Sequence, residues 1–234
     1  MKVVLASRMS SSRLPGKALL PIFEEMSMLD VLLHRIRLAK HVTGVVLATS
    51  VDQSDDPLES WALKNEVECF RGSLDDVLGR LAGCISQLEM QSFVEILGDN
   101  PLVDPDDIDR CILEFTEGGW DYVATATIEY SFAEHENCYP VGVRVQCFKS
   151  KLIEDAAKLY LDPHSREHSS SFIYGRTSEY RRKLISWPHQ HGAVDCNLNF
   201  AVNTAADFER NKNLLKQVGL DGSLPDFLSA FSNL

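Results

Sequence analysis

Short apolar runs in this chain alternate with longer stretches in which apolar residues recur every three or four positions. Val3–Ala6 is a compact run, and a Ser/Arg-rich loop, Ser7–Lys17, follows it. Leu29, Leu32, Leu33 and Ile36 then fall at helical spacing, which predicts a helix over Leu29–Lys40. Gly44 ends that unit, and Val45–Thr49 reads as a second buried strand. Pro57 opens a helix with Leu58, Trp61 and Ala62 inward, and Val67–Phe70 is the next strand. Leu74, Val77, Leu78, Leu81, Ile85 and Leu88 make a helical stripe over Leu74–Leu88. A strand at Phe93–Leu97, a helix at Pro105–Phe115 and a strand at Tyr122–Thr127 continue the rhythm.

Strands that alternate with helices over roughly the first 130 residues imply βαβ units around a mainly parallel, twisted sheet with helices on both faces. The rhythm breaks after Tyr130. Val141–Phe148, Lys183–Ser186 and Phe200–Val202 are strand-like, Ser150–Leu159 is helical, and Ala205–Val218 and Leu224–Phe231 close the chain as helices. With no repeat or convincing linker, the expectation is a single α/β domain over 1–234 with an irregular inserted portion at about 128–195.

A chain of 234 residues can bury a sizeable core, and 44% hydrophobic with 24% charged residues is ordinary globular composition. Collagen-like, disordered and disulfide-scaffold classes are excluded. The net charge of −11 argues against nucleic acid and anionic membrane surfaces as partners. Yet residues 1–17 hold Lys2, Arg8, Arg13 and Lys17 and no acid, so this segment carries +4 and the remainder −15. The six cysteines contain no CxxC pair and read as reduced core thiols. No apolar run approaches a membrane span and none forms a signal-peptide core, so the expected location is the cytoplasm.

The basic loop follows the first strand, and open α/β sheets bind ligands beyond the carboxyl ends of their strands. Its N–H groups, serine hydroxyls, guanidiniums and ammonium suit a phosphate chain. The competing reading is a solvated basic turn, which the lack of any acidic neighbour disfavours. This is not a Walker loop: Ala18 replaces the Ser/Thr after Gly16-Lys17, and Ser11 stands at the first glycine. No Gly-x-Gly occurs either, so a dinucleotide fingerprint is absent. Asp99, in Gly98-Asp99-Asn100-Pro101-Leu102, sits at another strand's carboxyl end. It suits a magnesium ion shared with phosphates, or simply shapes a turn.

Residues 7–17 resemble the Ala-Arg-Met-Gly-Ser-Thr-Arg-Leu-Pro-Gly-Lys signature of the spore-coat polysaccharide F-type cytidylyltransferases, relatives of the acylneuraminate and Kdo cytidylyltransferases. The resemblance continues through Asp55-Asp56-Pro57, Phe70–Arg80, Gly98–Leu102, Tyr139-Pro140, Arg166-Glu167-His168 and Val202-Asn203-Thr204. It implies a nucleotide-diphospho-sugar transferase fold and a homodimer built through the inserted portion. It also implies transfer of CMP from CTP to a sugar acid in surface-glycan synthesis, with Mg2+ and release of pyrophosphate. Carried over by position, Arg13, Lys17 and Asp99 are the expected catalytic residues, with Arg8, Arg13 and Lys17 on the triphosphate. Ala6, Ser7, Arg8, Ser11, Arg71, Ser73 and Gly98 form the expected nucleotide-binding set. Tyr139, Arg144, Arg166, Glu167 and His168 face the acceptor, and Asp99 and Asn203 the metal.

Three departures stand out. Asn203 replaces an aspartate, removing a negative charge from the metal site, and Asp195 and Asp207 are the neighbouring carboxylates that would substitute. Tyr139–Gln146 lacks three acids of the family pattern and gains Arg144, which alters either the acceptor pocket or the dimer seam. Ser10 replaces a glycine, at a cost if that position needs positive φ. The competing function is a nucleotide- or sugar-binding member without transferase activity.

Other patterns read as structural. His164-Ser165-Arg166-Glu167-His168 matches H-x-x-E-H but lacks a third ligand, and His189-Gln190-His191 reads as an exposed loop. Asp104, Asp106, Asp107 and Asp109 complement a helix start around Pro105, and Arg181-Arg182-Lys183 is a solvated cluster.

Overall fold

The computed structural model describes residues 1–11, 13–128, 137–175 and 180–232. Ser12, a donor expected in the basic loop, lies outside the described residues. Three parallel crossovers build the first half: β1 (Lys2–Ala6), β4 (Gly44–Ser50), β5 (Glu68–Gly72) and β6 (Ser92–Leu97) alternate with α1 (Met28–Leu38), α2 (Asp56–Lys64) and α3 (Val77–Gln87). A small antiparallel hairpin, β2 (Pro21–Phe23) with β3 (Met26–Ser27), follows the basic loop. Then come α4 (Pro105–Gly118), β7 (Tyr122–Thr125), β8 (Gln146–Lys149), α5 (Ser150–Leu159), α6 (Pro163–Glu167), α7 (Ser171–Gly175), β9 (Arg182–Ile185), α8 (Ala205–Val218) and α9 (Leu224–Phe231).

The main sheet has seven strands in the order β5-β4-β1-β6-β8-β7-β9. β8 runs antiparallel to both its neighbours and the other pairings are parallel. This is the mainly parallel sheet expected. Both of its faces are covered, and the central β1 is apolar on both sides. Val3 and Leu5 enter the core under α1, α2 and α4, while Val4 enters the core under α3 and α5. A third core joins the β2–β3 hairpin to α8 and α9 around Ile22, Phe200, Phe208 and Phe227.

Capping sets several boundaries. Asp76 accepts the Gly79 N–H, so α3 begins at Val77 although Leu74 fits its apolar stripe. Asp104 caps α4 ahead of Pro105, and Thr204 with Asp207 forms a capping box on α8. Phe200–Val202 is not a strand. The Val202 N–H donates instead to Asp99 O at 2.9 Å, and Phe200 N donates to Val141 O at 2.8 Å. Within Val141–Phe148 only the last residues join the sheet, as part of β8.

All six cysteines carry free thiols, and Cys84, Cys111, Cys138 and Cys147 are buried. Among the described residues no helix is long and apolar enough to cross a membrane.

Candidate active site

The carboxyl ends of β1 and β6 lie side by side, with Ala6 opposite Leu97. The Gly98 N–H donates to Ala6 O at 2.8 Å, and a β-carbon at Gly98 would fall 2.6 Å from Ser7 Oγ. Only glycine permits that approach of the two strand ends. The basic loop leaves from this point and is held at its start by Asp55. The buried Asp55 carboxylate accepts the Met9 N–H at 2.7 Å, Thr49 Oγ1 at 2.9 Å and the Ser50 N–H at 3.0 Å. Burial pushes the Asp55 pKa up, but hydrogen bonds from Ser50, Met9 and Thr49 outweigh it and hold the carboxyl below its ordinary value. The loop closes on itself where the Gly16 N–H donates to Met9 O at 3.1 Å, with Gly16 at φ 73°. Ser10 needs no such conformation: the non-glycine residues with positive φ among those described are Glu24, Glu66 and Glu89.

Three cations of the loop converge. Lys17 Nζ donates to Val202 O at 2.6 Å and lies 3.4 Å from Asp99 Oδ2. Arg13 Nη2 donates to Asn203 Oδ1 at 3.0 Å. Arg8 reaches the other wall, donating to Leu74 O at 3.3 Å with Glu167 Oε1 3.5 Å away. The groups surround an open cleft of about 420 Å³. Ala6, Ser7, Arg8, Ser11, Arg13, Lys17, Gly98, Asp99, Glu167, His168 and Asn203 line it, so residues distant in the chain meet there. Ser10 and Arg80 also line it; neither was an expected site residue, and Arg80 belongs to the Phe70–Arg80 block of the resemblance.

Five expected residues lie outside that lining. Arg71 is spent on Asp56 and Glu59, both at 2.7 Å, and on the carbonyls of Ser50 and Asp52. Ser73 accepts the Asp76 N–H at 3.2 Å beside it. Arg166 ties α6 to Ala157 O and to Asp76. Tyr139 is 0% exposed, its hydroxyl donating to Asp107 Oδ1 at 2.5 Å and accepting from Arg110. Arg144 is 4% exposed and donates to Gln146 Oε1 at 2.7 Å and Tyr122 Oη at 3.1 Å. Tyr139 and Arg144 therefore do not line the cleft. Internal partners satisfy their polar atoms, so they support the structure behind it.

This strand-end cleft, built from the N-terminal signature loop, coincides with a match of the cytidylyltransferase family model to residues 2–218. The chain belongs to the cytidylyltransferase family. The cytidylyltransferase is thus an enzyme of the nucleotidyltransferase class. It is similar to the spore coat polysaccharide biosynthesis protein SpsF of Bacillus subtilis, 29% identical over 92% of this chain and 86% of that one. It is also similar to an 8-amino-3,8-dideoxy-manno-octulosonate cytidylyltransferase of Shewanella piezotolerans, 31% identical over 57% of this chain and 54% of the other. In fold it matches the structure of a cytidylyltransferase from Leptospira borgpetersenii, with a TM-score of 0.86 at 24% identity, covering 99% and 93% of the two chains.

Around the cytidylyltransferase cleft, neither neighbouring carboxylate substitutes for a charge at Asn203. Asp207 Oδ2 takes the N–H groups of Asn203 and Thr204 and the Thr204 hydroxyl, while Oδ1 takes Arg210. Asp195 is exposed and accepts from Asn197. The other acids and histidines have local partners too. Asp104 accepts the Asp106 and Leu224 N–H groups, and Asp109 those of Lys40 and His41. The rings of His164 and His168 lie 4.7 Å apart and tilted by 55°, and His189–His191 forms one 3-10 turn. Among the described residues no three His, Cys, Asp or Glu side chains converge as metal ligands.

Proposed function

We propose that this cytidylyltransferase transfers CMP from CTP to a hydroxyl of a sugar acid in surface-glycan synthesis, releasing pyrophosphate, with magnesium bound beside the phosphates. The observation that carries this reading is Lys17 Nζ, held between Val202 O and Asp99 at the meeting point of Arg8, Arg13 and the β6 end. Lys17 and Arg13 present fixed positive charge where negative charge grows on the leaving pyrophosphate. The N–H groups of the loop and the cleft walls hold acceptor and α-phosphorus in line. The names of the Bacillus and Shewanella relatives support the acceptor class.

The donors fit one hard divalent cation. Asp99 Oδ1 makes no hydrogen bond to a described residue, and such ions accept one carboxylate with phosphate oxygens completing the shell. When bound, the ion supplies Lewis-acid neutralisation of the phosphate oxygens. Asn203 adds a neutral oxygen already engaged by Arg13. Glu167 and His168 are the residues of this reading that face the acceptor. The reading also takes the chain as one domain, a cytoplasmic enzyme and a homodimer joined through the portion at about 128–195. Leu159 and Leu161 in that portion are 68% and 78% exposed, which supports a contact there.

The test is a screen of CTP plus candidate sugar acids with magnesium, read by mass spectrometry and pyrophosphate release. A CMP-linked acid is the expected product. Tight CTP binding without turnover on any acid would favour a member that only binds.

A further inference from the structure

Arg80, in the second turn of α3, is 3% exposed and has no carboxylate partner within ion-pairing distance among the described residues. A buried cation ordinarily requires a paired charge. The carboxylates nearest in effect are all committed elsewhere. Asp55 holds Met9, Thr49 and Ser50. Asp76 holds Gly79 N and Arg166. Glu95 accepts Ser169 Oγ at 2.8 Å and Gln146 Nε2 at 2.9 Å.

The guanidinium is also left incomplete. Nη1 donates to Ser73 O at 2.6 Å and Leu74 O at 3.3 Å, Nε is buried without a partner, and Nη2 makes no hydrogen bond to a described residue, while the residue lines the cleft. Arg8 Nη1 reaches the same Leu74 carbonyl, also at 3.3 Å. Two guanidiniums thus crowd one oxygen, and burial together with the Arg8 charge pulls the Arg80 pKa below its usual value. Arg35 shows what a purely structural buried arginine looks like here. It is fully buried and likewise leaves one nitrogen, Nη2, without a partner, but it donates to the carbonyls of Val103, Leu220 and Gly222, Phe227 lies under its guanidinium, and it is not among the residues that line the cleft. Arg80 differs in lining the cleft beside Arg8.

We infer that Arg80 binds substrate directly, pairing with Arg8 to grip a phosphate oxyanion of the nucleotide. The inference rests on the reading that the cleft takes CTP. Arg8 belongs to the phosphate loop, so an oxyanion between the two guanidiniums would satisfy both and relieve their repulsion.

Isothermal titration of inorganic pyrophosphate, CTP and cytidine into wild type, Arg80→Met and Arg80→Lys tests it. Arg80→Met is expected to weaken pyrophosphate and CTP binding about tenfold to a hundredfold, the scale of a charge-assisted hydrogen bond. Cytidine binding should be unchanged, and Arg80→Lys should fall between the two. Pyrophosphate should also raise the melting temperature of wild type more than that of Arg80→Met. If Arg80→Met fails to fold, Arg80→Lys carries the test, with weaker pyrophosphate binding and unchanged cytidine binding expected. Unaltered pyrophosphate affinity, or an equal loss for cytidine, would overturn the role of Arg80. Wild type that binds neither CTP nor pyrophosphate would instead overturn the reading of the cleft itself.

Discussion

Asp55 accepts the main-chain N–H of Met9 at 2.7 Å across 46 residues of sequence. The basic loop is thereby fastened to the end of β4, whose Thr49 and Ser50 hydroxyls grip the same carboxylate. A loop rich in serine would otherwise sample many conformations, and ordering it in advance lowers the cost of binding an anion.

Replacing Asp55 by Asn should lower stability by about 1–3 kcal/mol, because buried donors lose an ionised acceptor. CTP affinity should fall with it. The folded carboxyl titrates below its unfolded value of 3.8, so its contribution is full above that pH and is lost as pH falls through the depressed folded value. Chemical denaturation between pH 2 and 7 checks this, and the variant should show a flatter acid limb.

Lys17→Ala should cut turnover by about a hundredfold or more while leaving the circular dichroism spectrum intact, the scale seen on removing a preorganised electrostatic group. Wild-type pyrophosphate release in that variant would remove the loop from the chemistry.

Asn203→Asp restores a charge opposite Arg13. It should tighten manganese binding, followed by electron paramagnetic resonance, and lower the magnesium concentration for half-maximal rate by about tenfold, one carboxylate's worth of affinity for a hard cation. Equal manganese affinity in both proteins would exclude position 203 from the metal shell.

Asp107 should make the protein less stable at neutral pH than in mild acid. Burial, opposed by the Tyr139 hydrogen bond, pushes its pKa up from 3.8 to about 7. Between these values the folded state holds a proton that the unfolded state has released, so stability declines as pH rises through that window. Asp107→Asn, which cannot ionise, should flatten the decline, with the larger gain in melting temperature at pH 8 than at pH 5.

Much of this architecture is legible in the sequence. Ser150–Leu159, Ala205–Val218 and Leu224–Phe231 were readable to the residue because apolar spacing and end signals agree there. The β2–β3 hairpin was not, since strands of three and two residues carry no detectable alternation. The signature loop and Asp99 announced the cleft by charge at strand ends. Tyr139 and Arg144 misled, because a polar residue in an extended stretch looks the same whether it faces a ligand or a buried partner. Gln146, Tyr122 and Asp107 supply those partners only once β7, β8 and α4 are packed together. Asp55 and Arg80 carried no signal beyond their place in the resembling blocks, because their roles depend on contacts between segments far apart in sequence.

The hydrogen bond from Val202 N to Asp99 O sets an order on assembly at the ribosome. Lys17, Asp99 and the strands that bear them emerge early, but the carbonyl that receives the Lys17 ammonium is that of Val202, 185 residues later. A nascent chain therefore carries most of the sheet well before it has a finished cleft. The last turn of the cleft arrives just ahead of α8, so a chain stalled before Val202 would hold a loop of positive charge with nothing to fix its lysine.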